Sequence, residues 1–450
     1  MLPSEQYGIA HAAFPVLDWY PMADQSLAIQ LDGGSWTDPV SGRSGRGPVW
    51  IHEGLVRFTP PPSGVAVRVV DVTGLWVVTG LTDLHVHLRE PGNEAAETIL
   101  TGSRAAAAGG FTTVVAMPNT RPALDAPEAI ARQLARAAEA GCCHVRPSAC
   151  LTEGRAGKAL APLEELARAG AAAFTDDGCT VMDDDVMREA MRRARALGRV
   201  VMDHAQDTRA EARGCMHEGE ASVRFGLPGI PSRAEAEVIE RDIRLARETG
   251  CAIHIQHITS REGVEAVRRA RAEGLPVTAE ITPHHLALCD TDMPGPDPNW
   301  KMNPPLRGAE DRDSLRAALE DGTVTCLATD HAPHTAESKN QGMIAAPFGV
   351  IGLETAVGVT WTELVRAGRL SALDWLRLWT TGPASVLGRP APALADGAPA
   401  DITVLEVETP WVVDPTRFQS RSRNTPFAGR TLWGRAAATF LQGRCVFPAS

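Results

Sequence analysis

The chain has 450 residues, of which 44% are hydrophobic, and a formal net charge of -11 at pH 7. This length suits one barrel-sized domain with a smaller accessory domain. The acidic balance, without a Lys/Arg run interleaved with aromatic residues, argues against nucleic-acid binding, and no apolar run approaches the roughly 20 residues that span a bilayer. The nine cysteines are scattered without CxxC spacing, which favours free thiols in a reducing cytoplasm.

Residues 1–26 form an N-terminal extension whose role the sequence leaves open. The segment lacks the basic region and the continuous apolar core of a signal peptide. Because a more regular stretch begins at Met22, one interpretation is an upstream mis-assigned start. The competing interpretation is an ordered extension specific to this protein.

Short β segments separated by Gly, Pro and Asp turns occupy both ends of the chain. They cover residues 27–31, 49–51, 65–72, 400–405 and 437–446. Because these segments flank a middle of different character, the pattern predicts one small β-sandwich-like domain built from residues 27–79 and 386–450.

The middle of the chain, residues 80–385, alternates short apolar runs with helical stretches rich in Ala, Arg and Glu. The candidate strands cover residues 81–87, 112–117, 144–150, 171–175, 200–204, 252–258, 277–282 and 325–329. Eight strands separated by helices predict an α/β fold of the parallel (β/α)8 TIM-barrel type. A doubly wound open sheet has the same local pattern, and periodicity does not distinguish the two.

The first predicted barrel strand carries an HxH motif, His85 and His87. Side chains at positions i and i+2 of a strand project to the same face, so both imidazoles can reach one metal ion. Taken alone, the motif is a weak indication of a metal site.

Other His and Asp residues lie at the ends of later predicted strands: Asp176, Asp177, His204, His257 and Asp330. The C-terminal strand ends of a TIM barrel converge on one mouth, where the active site lies. Four His, one of the adjacent residues Asp176 and Asp177, and Asp330 form a nitrogen/oxygen site suited to zinc or a similar divalent ion. Six ligands exceed the need of one tetrahedral zinc, which favours two metals that share a carboxylate. The residues themselves do not decide between Asp176 and Asp177.

Six runs of the sequence, taken together, resemble bacterial class I dihydroorotases of the amidohydrolase superfamily. They are DLHVHLREPG at 83–92, AMPNT at 116–120, AFTDDG at 173–178, KMNPPLR at 301–307, ATDHAPH at 328–334 and PFG at 347–349. The resemblance covers roughly residues 27–448. It implies a reversible, zinc-dependent hydrolysis of (S)-dihydroorotate to N-carbamoyl-L-aspartate. Ring closure would be the third step of de novo pyrimidine (UMP) biosynthesis.

The resemblance implies two Zn²⁺ ions per subunit, and one ion is the alternative. One zinc would be bound by His85, His87 and Asp330, and the other by His204 and His257. The family pattern selects Asp177 as the carboxylate that bridges both ions. Asp330 would also be the catalytic proton shuttle.

The substrate carboxylate needs a separate binding group, and Arg89 lies two residues after His87. A guanidinium suits bidentate carboxylate binding. The substrate-binding residues implied by the resemblance are Arg89, Asn119 and His334 for the carboxylate, with Asn303 and the backbone around Phe348 and Gly349 for the ring. The polar segment 335–346 is predicted to be a loop, either one that closes over the substrate or a plain solvated one.

Two other functions share some of these features. Hydantoinases and allantoinases bridge their metals with a carboxylated Lys, but the only lysines here are Lys158, Lys301 and Lys339, none near the end of strand four. An inactive dihydroorotase-like partner of aspartate transcarbamoylase would have lost metal ligands, and this sequence keeps every expected one. The resemblance also implies a homo-oligomer, with an aspartate transcarbamoylase as a possible partner.

Overall fold

The computed structural model describes residues 27–211 and 214–448. The predictions for the N-terminal extension, including a start at Met22, therefore lie outside the described residues. Across the described residues, no helix combines the length and the apolar character needed to cross a membrane.

The described chain contains short strands, helices and 3-10 turns, with one π-helical segment at Trp361–Arg366. The strands are β1 (Ala28–Asp32), β2 (Ser35–Thr37), β3 (Ser44–Arg46), β4 (Val49–His52), β5 (Leu55–Arg57), β6 (Val67–Asp71), β7 (Trp76–Thr79), β8 (Leu81–Val86), β9 (Phe111–Ala116), β10 (His144–Pro147), β11 (Val201–Asp203), β12 (Met216–His217), β13 (Gly229–Ile230), β14 (Ile253–Ile255), β15 (Val277–Ile281), β16 (Cys326–Leu327), β17 (Ile402–Val412), β18 (Thr431–Leu441) and β19 (Arg444–Phe447). The helices are α1 (Ile99–Ala108), α2 (Pro127–Ala140), α3 (Leu163–Ala169), α4 (Asp184–Ala196), α5 (Thr208–Glu211), α6 (Glu220–Phe225), α7 (Arg233–Thr249), α8 (Arg261–Ala272), α9 (Pro283–Ala287), α10 (Ala309–Glu320), α11 (Ala336–Lys339), α12 (Gly342–Ala345), α13 (Ala356–Thr360), α14 (Ala372–Leu378) and α15 (Thr381–Val386).

Two sheets built from both ends of the chain pack against each other. The first has the strand order β5-β4-β1-β6, and the second has the order β19-β18-β17-β7-β2-β3. Within the second sheet, β7 pairs antiparallel with β17, so that Thr79 lies opposite Ile402. Buried side chains of both sheets form one apolar core that includes Ile29, Ile51 and Phe440. A β region assembled from the two ends of the chain is therefore present, as the sequence predicts.

The middle of the chain forms parallel sheets in which neighbouring strands follow one another in sequence. One sheet contains β8, β9 and β10, and the other contains β11, β14, β15 and β16. Single bridges connect them: Phe174 lies opposite both Ala149 and Val201, and Val86 lies opposite His331. The described pairings follow chain order without the reversal that marks the switch point of a doubly wound sheet.

The predicted fourth strand, residues 171–175, is wrong as a regular strand. Isolated bridges form there at Phe174. On one side Phe174 N donates to Val200 O and Met202 N to Phe174 O, and on the other side Ala172 N donates to Pro147 O and Thr175 N to Ala149 O. The chain leaves the ladder immediately afterwards because the Asp176 carboxylate accepts hydrogen bonds from the backbone of Leu151 and Thr152.

Amphipathic helices cover the parallel sheets. In α4, Asp183 caps the first turn by accepting from the backbone N–H groups of Asp185 and Val186. The apolar positions Met187, Met191 and Ala194 recur at helical spacing and are fully buried. The buried face of the helix therefore belongs to the same apolar core as Phe174 and Val201 of the parallel region.

Candidate active site

His85 and His87 lie at the C-terminal end of β8 and are both buried. The His85 Nδ1–H donates to Glu280 Oε1 at 2.7 Å, and the His87 Nδ1–H donates to Asn119 Oδ1 at 2.9 Å. These bonds fix each ring so that its Nε2 is the unprotonated nitrogen in the neutral form. A carboxylate or amide acceptor on the second nitrogen is typical of histidines that bind metals.

Two carboxylates face those Nε2 atoms. His85 Nε2 lies 3.2 Å from Asp177 Oδ1 and 3.5 Å from Asp330 Oδ1, and His87 Nε2 lies 2.9 Å from Asp330 Oδ1. Burial acts to lower the pKa of His85, but the charges of Asp177 and Asp330 raise it well above its usual value. The same negative potential favours a divalent cation among these atoms.

His257 completes the buried cluster from the segment that directly follows β14. Its ring centre lies 5.1 Å from that of His85 and 4.5 Å from that of His204. Burial and the nearby His204 lower the pKa of His257 well below its usual value, so the ring is neutral. Among the described residues, its buried Nδ1 has no hydrogen-bond partner, which leaves a lone pair available to a metal.

The structure brings all six predicted metal ligands into one buried site. Two sets of three have ligand atoms within 4.8 Å of one another: His85 with His87 and Asp330, and His85 with Asp177 and His257. His204 belongs to neither set, but its Nδ1 lies 3.7 Å from Asp177 Oδ1. We refer to His85, His87, Asp177, His204, His257 and Asp330 as the metal half of the site.

Asp176 and Asp177, which the residues alone do not distinguish, have different surroundings. Asp176 accepts from Leu151 N at 2.8 Å and from Thr152 N at 3.1 Å, and its role is to hold that turn. Asp177 faces the histidines, and Asn119 Nδ2 donates to its Oδ2 at 3.1 Å. The geometry therefore agrees with the family pattern in placing Asp177, rather than Asp176, beside the histidines.

Strained backbone is concentrated at the site. Arg89, His257 and Asp330 have φ angles of 59°, 30° and 46°, in the left-handed region that non-glycine residues rarely adopt. Such conformations cost on the order of 1–3 kcal/mol each and persist where the surroundings impose them. The strain lies where the chain leaves its strands and aims side chains into the mouth.

Arg89 and His334 form the cationic side of the mouth. The Arg89 Nε–H donates to Pro333 O at 3.1 Å, and burial lowers the pKa of Arg89 to about 10, so that it stays charged at neutral pH. Burial and the Arg89 charge lower the pKa of His334 to about 3. The neutral His334 ring donates from Nε2 to Phe348 O at 2.7 Å. We refer to Arg89, His334, Phe348 and Gly349 as the substrate half of the site.

The two Asn residues predicted to bind the substrate, Asn119 and Asn303, both have hydrogen-bond partners within the protein. Asn119 accepts from His87 and donates one amide N–H to Asp177. Asn303 Oδ1 accepts from Gln206 Nε2 at 2.9 Å, and its Nδ2 lies 3.3 Å from His204 Nε2. Both side chains therefore contact residues of the metal half or its neighbours.

The segment predicted as a polar loop, 335–346, is largely helical. It contains α11 and α12, and Lys339 and Met343 are buried, each 4% exposed or less. The prediction of an irregular loop is wrong because these two side chains tie the segment to the mouth.

Glu280 on β15 is a site residue that the sequence did not single out. Besides His85 it accepts from His254 Nε2 at 3.0 Å and from His257 N at 3.3 Å. Burial opposes its ionisation, but the charge of His85 lowers the pKa of Glu280 to about 2. The available signal was a carboxylate in the middle of an otherwise apolar strand.

Comparison with known proteins identifies the family. A curated dihydroorotase of Geobacillus sp. (strain WCH70) is 50% identical over 382 residues, which cover 85% of this chain and 90% of that protein. The dihydroorotase of Pelotomaculum thermopropionicum is 46% identical over 421 residues, with 93% and 98% covered. The chain belongs to the dihydroorotase family. Residues 74–263 also match the family described as Dihydro-orotase-like, and the resemblance seen in the sequence is confirmed.

Solved hydantoinase structures have the same fold as this dihydroorotase-family chain. The L-hydantoinase (dihydropyrimidinase) from Arthrobacter aurescens has a TM-score of 0.80 at 24% identity, covering 93% of this chain and 95% of that one. The D-hydantoinase from Thermus sp. has a TM-score of 0.77 at 23% identity, with 93% and 94% covered. At these identities the likeness establishes a shared fold and does not extend to the substrate.

Proposed function

We propose that this chain catalyses the reversible hydrolysis of (S)-dihydroorotate to N-carbamoyl-L-aspartate. Ring closure would serve as the third step of pyrimidine (UMP) biosynthesis in the cytoplasm. The observation that carries the proposal is the buried set His85, His87 and Asp330 beside the cationic Arg89. This arrangement suits a substrate whose carboxylate is attached to the same small ring that contains the amide.

The metal half fits zinc, and we propose two Zn²⁺ ions with Asp177 between them, one ion remaining the alternative. His85, His87 and Asp330 would bind one ion, and His204 and His257 the other. The support is chemical: nitrogen and carboxylate donors without thiolate, two imidazole lone pairs directed at carboxylates, and a buried His257 Nδ1 that, among the described residues, accepts no hydrogen bond. Bound divalent ions would polarise the amide carbonyl and make hydroxide available near neutral pH.

The substrate half would bind and orient the ring. The Arg89 guanidinium engages Pro333 through Nε, so its terminal nitrogens are the groups suited to a bidentate contact with the carboxylate. The second N–H of Asn119 and the neutral His334 would assist. Asn303 and the backbone of Phe348 and Gly349 would contact the other side of the substrate ring. Fixing the amide carbonyl against the metal half would make the attack effectively unimolecular.

Asp330 would move the proton. In hydrolysis its carboxylate takes the proton of the attacking water as the new C–O bond forms at the ring carbonyl. The ring C–N bond then breaks, and Asp330 returns the proton to the departing nitrogen. The new carboxylic acid ionises, so that hydrolysis releases one proton and ring closure consumes one. The support for this role is that the Asp330 carboxylate lies 2.9 Å from His87 Nε2 and is near enough for its charge to act on Arg89.

We further propose that residues 80–385 form a closed (β/α)8 barrel and that residues 27–79 and 386–450 form the accompanying β domain. The sequential parallel pairing and the bridge between Val86 and His331, which links the last strand region to the first, support closure. A homo-oligomer and an association with aspartate transcarbamoylase remain predictions from the family resemblance.

The hydantoinase and allantoinase alternative requires a lysine that bridges the metals. Lys158 is exposed, whereas Lys301 and Lys339 donate to main-chain carbonyls of residues that are not candidate metal ligands. An inactive partner protein is disfavoured because all six candidate ligands are in place. Both observations favour the dihydroorotase reaction.

The test is turnover by the purified, zinc-loaded protein. Dihydroorotate should be hydrolysed at alkaline pH and N-carbamoyl-L-aspartate should be cyclised at acidic pH, while hydantoin and allantoin should give no turnover. Metal content is measured on the same preparation. A fully metallated protein that turned over hydantoin or allantoin, and not dihydroorotate, would overturn the proposal.

A further inference from the structure

Asn424 belongs to the segment between β17 and β18, yet its side chain lies at the substrate half. It is 3% exposed. Its Nδ2 donates to Ala332 O at 3.1 Å and to Gly349 O at 3.0 Å, and its Oδ1 accepts from His334 N at 3.2 Å. One amide therefore uses both of its N–H groups and its oxygen to join the chain at 332–334 to the chain at 349.

Lys339 contacts the same carbonyl from another direction. Its Nζ donates to Gly349 O at 2.9 Å, to Pro347 O at 3.1 Å and to Lys301 O at 3.2 Å. The side chain is 2% exposed, and burial together with the charge of Lys301 lowers the pKa of Lys339 to about 7. A buried ammonium is unfavourable unless its protons are bonded, and here all three are.

The backbone that these two side chains hold is packed against His334. Gly349 has a φ of 133°, and a Cβ there would lie 2.7 Å from Ala332 Cβ and 3.0 Å from His334 Nε2. Gly349 N donates to Lys301 O at 3.0 Å. Because Phe348 O accepts from the His334 ring, His334, Phe348 and Gly349 form one unit of fixed geometry.

The segment that carries Asn424 is itself anchored to the parallel β/α region. Glu97 accepts from Arg421 N at 3.2 Å and from the Ser420 hydroxyl. Glu354 accepts from Gln419 N at 2.8 Å and from Ser420 N at 3.0 Å. The stretch just before Asn424, residues 419–421, is thus held by the carboxylates of Glu97 and Glu354.

We infer that Asn424 and Lys339 are positioning residues, which hold His334 and the Phe348–Gly349 backbone at the spacing that the substrate needs. The inference rests on the proposed function, because it assumes that the substrate half binds the dihydroorotate carboxylate and ring. The hydrogen bonds of both side chains described above join no residue of the metal half. Loss of either side chain should therefore affect substrate binding and leave the metal in place.

The first test is Asn424→Asp. The variant keeps the size of the side chain and the acceptor for His334 N, but it turns an oxygen towards two carbonyls that were bonded to N–H groups. We expect KM for dihydroorotate to rise about 10-fold or more, kcat to stay within about 3-fold and zinc content to stay unchanged. Asn340→Asp, at an exposed position of the same region, is the matched control and should behave as wild type.

The second test is Lys339→Met, which removes the other donor to Gly349 O, with the exposed Lys158→Met as its control. The same rise in KM is expected. In the double variant KM should rise by less than the product of the two single-variant increases, because both residues donate to the same carbonyl. If Asn424→Asp fails to fold, Lys339→Met decides alone.

An unchanged KM in a folded, metallated variant would overturn the inference. Loss of zinc, or a fall in kcat with KM unchanged, would also overturn it. Wild-type protein is measured first: no dihydroorotate turnover by the zinc-loaded wild type would refute the proposed function. An active wild type with unaffected variants would refute only the positioning role.

Discussion

In the metal half of the candidate site, side chains hold side chains, whereas in the substrate half, side chains from distant segments hold main-chain groups. His85 is fixed by Glu280 on β15, two buried groups joined at 2.7 Å. Gly349 is fixed through its carbonyl by Asn424, 75 residues further along the chain. Charged hydrogen bonds between side chains suit groups that must keep one protonation state. Main-chain contacts suit a surface that must keep a shape, and the two halves should therefore respond differently to substitution.

Asp330 belongs to the metal half and is also the proposed proton shuttle, so its loss should have the largest effect. Asp330→Asn keeps an oxygen near His87 but cannot carry a proton. We expect turnover to fall about 10³-fold or more in both directions, with at least one zinc retained through His85, His87 and Asp177. Both directions and the zinc content should be measured on one preparation. Near-normal turnover with full zinc would eliminate Asp330 as the shuttle and direct attention to His334.

Arg89 tests the substrate half alone. Arg89→Met keeps the length of the side chain and removes the partner of the carboxylate, while no candidate metal ligand changes. The expected loss in kcat/KM is about 100-fold or more, since a charge-assisted pair is lost from a buried site. Steady-state kinetics and zinc analysis check this. A variant that lost its zinc would show that the two halves are not separable in the way proposed.

Glu280 tests the metal half without changing any of the six candidate metal ligands. In Glu280→Gln the His85 Nδ1–H loses its charged acceptor, and His254 and the His257 backbone lose the same partner. Zinc affinity should fall about 10–100-fold, measured by competition with a chelator, with KM for dihydroorotate little changed at saturating zinc. Glu337→Gln, at an exposed position near the mouth, is the control. Unchanged zinc affinity would show that Glu280 does not support the metal half.

The sequence predicted the metal half far better than the contacts that support it. Candidate ligands could be recognised because strand ends converge on one mouth, so position along the chain translates into position in space. The contact between Glu280 and His85 depends on how strands far apart in the chain are arranged around the mouth. Asn424 and Lys339 gave no signal, because their partners are main-chain atoms that any residue carries.

Strand periodicity failed where the chain leaves the ladder. His254 and His257 are three residues apart, and an unbroken strand would place them on opposite faces. β14 ends at Ile255 and His257 has a φ of 30°, and Glu280 accepts from the His254 ring and from the backbone N of His257. The fourth predicted strand shortened to a bridge at Phe174 for a similar reason, because Asp176 turns away to bond another loop. Turns at functional residues override the alternation from which strands are predicted.

Glu354 should give the smallest effect, and one that depends on pH. It anchors the segment that carries Asn424, and burial raises its pKa to about 7. A carboxyl group with a raised folded-state pKa adds stability that is fully present below its unfolded pKa, near 4.5, and is lost as pH rises through about 7. Wild type should therefore lose stability relative to Glu354→Gln between pH 5 and pH 8. The relative loss should be on the order of 1 kcal/mol, about 1–2 °C in Tm for a chain of this length.

The measurement is the Tm of the zinc-loaded wild type and variant at several pH values at constant ionic strength. Glu408→Gln, at an exposed position, should reproduce the wild-type profile. Because Gln has one oxygen for two backbone N–H groups, the variant loses part of one hydrogen bond at every pH. This lowers its Tm by the same amount at each pH and leaves the slope of Tm against pH unchanged. The expected difference between wild type and variant lies in the slope of Tm against pH, which a constant difference in Tm does not affect. Parallel curves for wild type and Glu354→Gln would show that Glu354 keeps one protonation state across this range. In that case the substrate half would be anchored, like the metal half, by a group of constant charge.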